Sequence, residues 1–317
     1  MKSPVLLVAW RRPELTRRVI ASIRTYAPDQ MYVACDGPNP QREGEQEKVN
    51  ETRRVIDSEI DWPCDVHRRY SETNQGCKVG VSNAISWFFE NVEEGIIIED
   101  DCMPHPSFYP YCAQLLERYR HDTRVWSICG NNFQRGVSRG DGSYFFSRYS
   151  LIWGWATWRR CWREYDPDLR AWPAFKASAH LEMLFEDPVE REHWIHIWDW
   201  MTGNAPLDTW DFQWLFTCIS AGGLSAIPNC NLVENIGFGI DSTHCQGESP
   251  DTGLGPGIEE LVHPSFVLRN SDADAYTFDT IYQGAKLRLE KQWNFRMRRY
   301  IRSLRHRAIS LVKRKLT

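Results

Sequence analysis

The chain has 317 residues, 42% of them hydrophobic and 13% aromatic, which provides for a sizeable core and excludes an intrinsically disordered chain. Its net charge of -4 conceals an asymmetry: residues 286–317 hold twelve Lys or Arg against the single acid Glu290, leaving 26 basic and 41 acidic residues upstream. A body this acidic argues against a broad nucleic-acid footprint, so no nucleic-acid partner is expected.

In chain order, the first apolar run, PVLLVAW, predicts a strand. After Arg11, Arg12 and Pro13, the apolar residues Leu15, Val19, Ile20 and Ile23 fall at helical spacing. MYVACDGP reads as a second strand ending in a turn at Asp36, Gly37 and Pro38, and a polar helix is predicted from about Glu43 to Ile60. CDVHRRY gives a third strand, GVSNAISWFFENV a helix, and GIIIEDD a fourth strand. Alternating strands and helices imply parallel βαβ units, whose ligands bind beyond the carboxyl ends of the strands. Asp36 and the triplet Glu99-Asp100-Asp101 fall at such ends.

Beyond about residue 125 the pattern loosens into VWSICGNNF, YFFSRYSLIWGWATWRRCW, a polar helical stretch, and TWDFQWLFTCISAGGLSAIP. This part is expected to complete the sheet and to build an acceptor side. Gly237 to Asp274, rich in Gly, Pro, Ser and Asp, suits a long ordered loop over a site or a lid. The expected organisation is one α/β catalytic domain over 1–275, divided into a nucleotide-binding half (1–125) and an acceptor half (126–275), followed by a basic tail (276–317). Ten scattered cysteines without a C-x-x-C pair point to reduced, buried thiols rather than to a disulfide framework or a zinc site.

Three consecutive carboxylates after a buried GIII run cannot all remain in the core unpaired. A carboxylate at a strand end can hold a hard divalent cation that bridges two phosphates; an ordinary solvated strand terminus is the other reading. IIIEDDCMPHPSFYPYCAQLLERY resembles the metal-binding segment of GT-A glycosyltransferases, with the nearest likeness to the N-acetylglucosaminyltransferase I family, whose hallmark is also Glu-Asp-Asp. PVLLVAWRRPELTRRVIASI is similar to that family's first strand and helix, and CDGP to its second strand end. NQGCKVGVSNAI resembles the Asn-x-Gly and downstream Asn pattern of family-2 glycosyltransferases. The likeness covers roughly residues 4 to 240.

This resemblance implies a GT-A fold, a mixed central sheet flanked by helices. It implies that Arg12 and Asp36 contact the uracil end of a UDP-sugar; a solvated loop arginine and a turn-forming aspartate are their other readings. It also places Asp101 on Mn²⁺ or Mg²⁺, Asp100 near the ribose and Glu99 near the donor sugar. Lys78, in the glycine-containing loop, would face a phosphate or stand as a surface lysine. Asp211, ahead of an apolar helix, resembles the family's Trp-Asp segment that carries the general base; a helix-capping acid is its other reading, and Asp208 competes for the role. Gly154 and Trp155 match the family's Gly-x-Gly-Trp stretch, with Trp153 standing where the first Gly would be. Trp153, Trp155, Trp158 and Trp162 are candidates for stacking on sugars or for core. His244, in DSTHCQG, sits where many GT-A enzymes present a histidine to the metal or diphosphate.

The activity implied is an inverting transfer from a UDP-sugar to a glycan or lipid-linked acceptor. The alternatives are a nucleotidylyltransferase, whose Gly-rich phosphate loop WRRPEL lacks, and a non-catalytic carbohydrate-binding or scaffold protein on the same fold. Residues 286–317 alternate cations with Leu, Trp, Phe, Met, Ile and Val, which suits an amphipathic helix on an anionic membrane surface or a solvated end. Without a leader or a spanning run, the expected placement is cytoplasmic, peripheral at the inner face of the membrane.

Overall fold

The computed structural model describes residues 2–238, 253–293 and 297. The first half follows the predicted alternation: β1 (Val5–Ala9), α1 (Pro13–Tyr26), β2 (Gln30–Cys35), α2 (Glu45–Glu59), β3 (Asp65–Tyr70), α3 (Gly76–Asn91) and β4 (Glu94–Glu99). The runs in β1, β2 and β4 are apolar almost without interruption because parallel strands are covered by helices on both faces. Pro13, at the start of α1, has no N–H to leave unsatisfied, and Thr16, Val19, Ile20 and Ile23 form the buried face. At the other end, Ala27 adopts a left-handed conformation and donates its N–H to the Ile23 carbonyl. The third helix begins at Gly76, four residues ahead of the predicted Gly80.

Next come β5 (Cys102–Pro104), α4 (Phe108–Tyr119), β6 (Val125–Cys129), β7 (Tyr144–Ser147), β8 (Trp155–Trp158) and the short helices α5 (Arg159–Trp162), α6 (Trp172–Lys176) and α7 (His180–Leu184). The chain continues through α8 (Pro188–Met201), α9 (Asp211–Ser220), β9 (Leu224–Pro228), β10 (Val233–Asn235) and α10 (Ser271–Thr280). One eight-stranded sheet runs β3-β2-β1-β4-β8-β6-β9-β7, and a two-stranded sheet pairs β10 with β5. Strands β1 to β4 are parallel neighbours, whereas β8 runs antiparallel between β4 and β6. The chain therefore has the α/β class with a mixed central sheet expected from its sequence.

Trp155, Trp158 and Trp162 are buried in the main core, and a second cluster of Trp172, Trp194, Trp198 and Phe216 lies beside it. Burial of these rings leaves Trp153 as the member of the expected sugar-stacking set that reaches the cavity described below. The expected boundary at residue 275 falls inside α10, and Phe278, Tyr282 and Leu287 pack into the second cluster. Helical residues 284–293 continue from there, pinned by Arg288 to Asp187 at 2.6 Å and to Asp279, and by Lys291 to Glu192 at 2.6 Å. The start of the basic tail is thus part of the body. Nine cysteines among the described residues are free thiols. No helix among the described residues is long and apolar enough to cross a membrane.

Candidate active site

A cavity of about 540 Å³ opens beyond the carboxyl ends of β1, β2 and β4 and is closed on its far side by the start of α9 and the end of β10. That volume lies within the range of small-molecule sites, and the location is where open α/β sheets take their ligands. Arg12, Asp36, Glu99, Asp100, Asp101 and Asp211 all line it.

The near wall is built from the triplet. Asp100 is buried, and its backbone N–H donates to the Val8 carbonyl at 2.9 Å while its Oδ2 accepts from the Trp10 N–H at 3.0 Å. Arg12 donates from Nη2 to Asp100 Oδ1 at 2.5 Å and from Nη1 to Asp101 Oδ2 at 2.8 Å. One guanidinium therefore compensates two adjacent carboxylates, which is how three acids remain at the edge of the core. Burial opposes the charge on Arg12, but the Asp100 and Asp101 carboxylates outweigh it and raise its pKa. Burial raises the Asp100 pKa against the pull of Arg12. Glu99 is pushed up to about 8 by burial and by the Asp101 charge.

Asp36 is already engaged. It accepts from the Gly37 N–H at 2.8 Å, the Asn74 amide at 2.9 Å and the Gln75 N–H at 3.0 Å, so it ties the Asn74-Gln75-Gly76 loop to the end of β2. Burial raises its pKa, and the Gln75 and Gly37 N–H groups oppose that. Lys78 is not among the residues lining the cavity: its ammonium lies 3.6 Å from Asp168, so the phosphate-facing reading of its side chain finds no support in the geometry.

The far wall comes from the segment before α9. Asp208 accepts the Cys77 N–H and the Lys78 N–H, both at 2.9 Å, one on each carboxylate oxygen. Thr209 donates its hydroxyl to Asp211, and Asp211 opens α9 with its side chain in the cavity lining. Trp210 is the N-cap residue of α9, so Asp211 is a first-turn acid that also faces the cavity. Burial raises the Cys77 pKa, and the charges of Glu99, Asp211 and Asp208 add to it, so the two walls face each other across this thiol.

Several lining residues escaped the sequence reading. Trp10 anchors its indole N–H on the Gly37 carbonyl at 2.9 Å and carries Arg11 over its ring at 4.5 Å. Asn235 accepts the Gly237 N–H at 2.8 Å, and the Ile236 N–H donates to the Asp101 carbonyl at 2.8 Å. The tripeptide Asn235-Ile236-Gly237 repeats the Asn-x-Gly pattern of residues 74–76, a signal present in the sequence. Of the expected lid, Gly237 lines the cavity, whereas the described residues 253–274 pack elsewhere: the Gly255 N–H donates to the Asn231 carbonyl, and Asp141 accepts from the Ser265 hydroxyl. His244 and most of residues 286–317 lie outside the described residues.

Among the described residues, no group of three or more His, Cys, Asp and Glu is arranged to hold an ion. A closed protein cage does not fit this donor set. An ion completed by a ligand's phosphate oxygens does, since such ions need only one or two carboxylates from the protein. A Cβ at Gly237 would lie 2.4 Å from Asp101 Oδ2, so the glycine keeps the space beside that carboxylate clear.

No protein-family description and no curated protein matches the sequence. Among solved structures, the chain is similar to GalNAc-T7 bound to UDP, GalNAc and Mn²⁺, with 14% identity, a TM-score of 0.44, and 78% of this chain and 46% of that chain covered. It is similar to the mannosyltransferase PcManGT from Pyrobaculum calidifontis with GDP-Man and Mn²⁺, at 11% identity and a TM-score of 0.38, over 69% of this chain and 71% of that one. HddC from Yersinia pseudotuberculosis matches at 10% identity and a TM-score of 0.34, over 51% of this chain and 80% of that one.

Proposed function

We propose that this cavity binds a UDP-sugar and that the protein is an inverting glycosyltransferase acting on a glycan or lipid-linked hydroxyl. The observation that carries the reading is the meeting of the strand-end acids, compensated by Arg12, with Asp211 in one cavity of nucleotide-sugar size. Asp211 takes the proton from the acceptor hydroxyl as that oxygen attacks the anomeric carbon. Glu99 lies near the donor sugar, and Arg12, its charge balanced by Asp100 and Asp101, lies toward the uracil end. Asp101 is the residue that would hold Mn²⁺ or Mg²⁺, with His244 as a second ligand; when bound, the cation neutralises charge on the leaving diphosphate. Trp153, Leu207 and Phe212 give the far wall an apolar, aromatic lining suited to an acceptor ring.

The basic segment 286–317 places the protein peripherally on an anionic membrane, a reading supported by its charge and by the exposed Leu289 and Trp293. Calorimetry with UDP, GDP, CMP and dTDP, each with and without Mn²⁺, tests the donor assignment. UDP binding strengthened by Mn²⁺ is expected; absence of binding to all four nucleotides would overturn it and favour a non-catalytic protein on this fold.

A further inference from the structure

Helix α3 has no capping side chain of its own. Its N-cap residue, Gln75, makes no side-chain cap hydrogen bond, and the cap comes from Asp208, 131 residues away from Cys77 in sequence. A carboxylate with one oxygen on each of two successive N–H groups at a helix N-terminus is a strong, directional contact, favoured by both the unpaired donors and the helix dipole. The local sequence accommodates it. Gly76 sits at φ +80°, and a Cβ there would lie 2.6 Å from Asp208 Oδ2, so any other residue would push the carboxylate off its seat.

The contact also spans the cavity. On one side, the Gln75 N–H before α3 is held by Asp36 at the end of β2. On the other, Asp208 is followed by Thr209, whose hydroxyl donates to Asp211 and whose carbonyl accepts from the buried Gln213 amide at 3.0 Å. Asp36, the α3 N-terminus, Asp208, Thr209 and Asp211 therefore form a chain of polar contacts from the nucleotide-binding strands to the start of α9.

We infer that Asp208 is a positioning residue, a latch that seats the Leu207–Asp211 segment on the α3 N-terminus and thereby fixes the Asp211 carboxylate at its working distance from the donor. This rests on the proposed role of Asp211 as base. Asp208 is not the base in this scheme; each of its oxygens accepts a backbone N–H.

The test uses the full chain and UDP release from UDP-glucose, UDP-galactose and UDP-N-acetylglucosamine with water as acceptor. Asp208→Asn should lower kcat by about 100-fold, the cost of roughly 1 Å of misplacement, with the donor KM unchanged. The acidic limb of the kcat/KM profile should persist, its midpoint moving in step with the titration of Asp211, because the base is still Asp211. Gly76→Ala, which displaces the carboxylate without removing it, should reproduce the loss, and the double variant should lose no more than either single one. An Asp208→Asn protein with a lowered Tm and undiminished kcat would overturn the inference, as would disappearance of the acidic limb, which would make Asp208 the base. A readout without turnover separates the latch from the reaction: the carboxyl ¹³C titration of Asp211 should shift in Asp208→Asn. An unshifted titration sinks the latch, whereas no UDP release from the wild type together with a shifted titration sinks the transferase reading alone.

Discussion

The two walls of the cavity hold their carboxylates by different means. On the strand side, Asp100 and Asp101 share one guanidinium at 2.5 and 2.8 Å, so charge is balanced by charge. On the helix side, Asp208 accepts from two backbone N–H groups and Asp211 accepts from the Thr209 hydroxyl. The proposed metal ligand, Asp101, lies on the strand side and the proposed base, Asp211, on the helix side.

The largest effect should come from breaking the helix side. Asp211→Asn is expected to lower UDP release from a UDP-sugar by about 1,000-fold, within the usual range for a general base, with UDP affinity by calorimetry unchanged. Retained turnover would move the base elsewhere.

Breaking the strand side should show in stability first. Arg12→Met leaves two neighbouring carboxylates without their cation and should cost about 3 kcal/mol by urea unfolding at neutral pH. The deficit should shrink as pH falls and Asp100 takes up a proton. An unchanged urea midpoint would show that the pairs contribute nothing net.

Glu99 sharpens the comparison through pH. Its carboxyl is pushed from 4.5 up to about 8, so between those values the folded state binds more protons than the unfolded one. Its contribution therefore destabilises progressively as pH rises through that window and is absent below it. Glu99→Gln should remove this slope: the difference in Tm between wild type and variant should grow in favour of the variant from pH 5 to 8. A difference constant with pH would mean that Glu99 titrates normally.

The smallest change expected is at Gly237→Ala, whose Cβ would press on Asp101 Oδ2 at 2.4 Å. A cost of about 1.4 kcal/mol, tenfold in UDP affinity, is expected without change in the acidic limb of the rate profile. A shift of that limb would show that the two walls are not independent.

Legibility in the sequence divided along the chain. The strands β1 to β4 and their helices could be read because buried parallel strands and amphipathic helices have local signatures, and the ends of those strands pointed at Asp36 and Glu99 to Asp101. The antiparallel entry of β8 between β4 and β6 could not, since WATW reads equally as strand or core filler and its partners are distant in sequence. Trp155, Trp158 and Trp162 went to the core because each packs among other rings, a choice made by neighbours that a single stretch does not contain. Lys78 turned to Asp168 for a similar reason.

The sequence by itself determined the α/β class, the order of the first elements, and the placing of an acid triplet at a strand end, because hydrophobic period and the cost of burying unpaired charge act locally. Only the tertiary structure decided how each acid is held: that Arg12 clamps two of them, that Asp36 is spent on the Gln75 loop, and that Asp208 caps a helix begun at Gly76. Those are contacts between residues tens to more than a hundred positions apart. Their energies depend on distance and direction in space, and on the water excluded around them, which no local pattern of residues encodes.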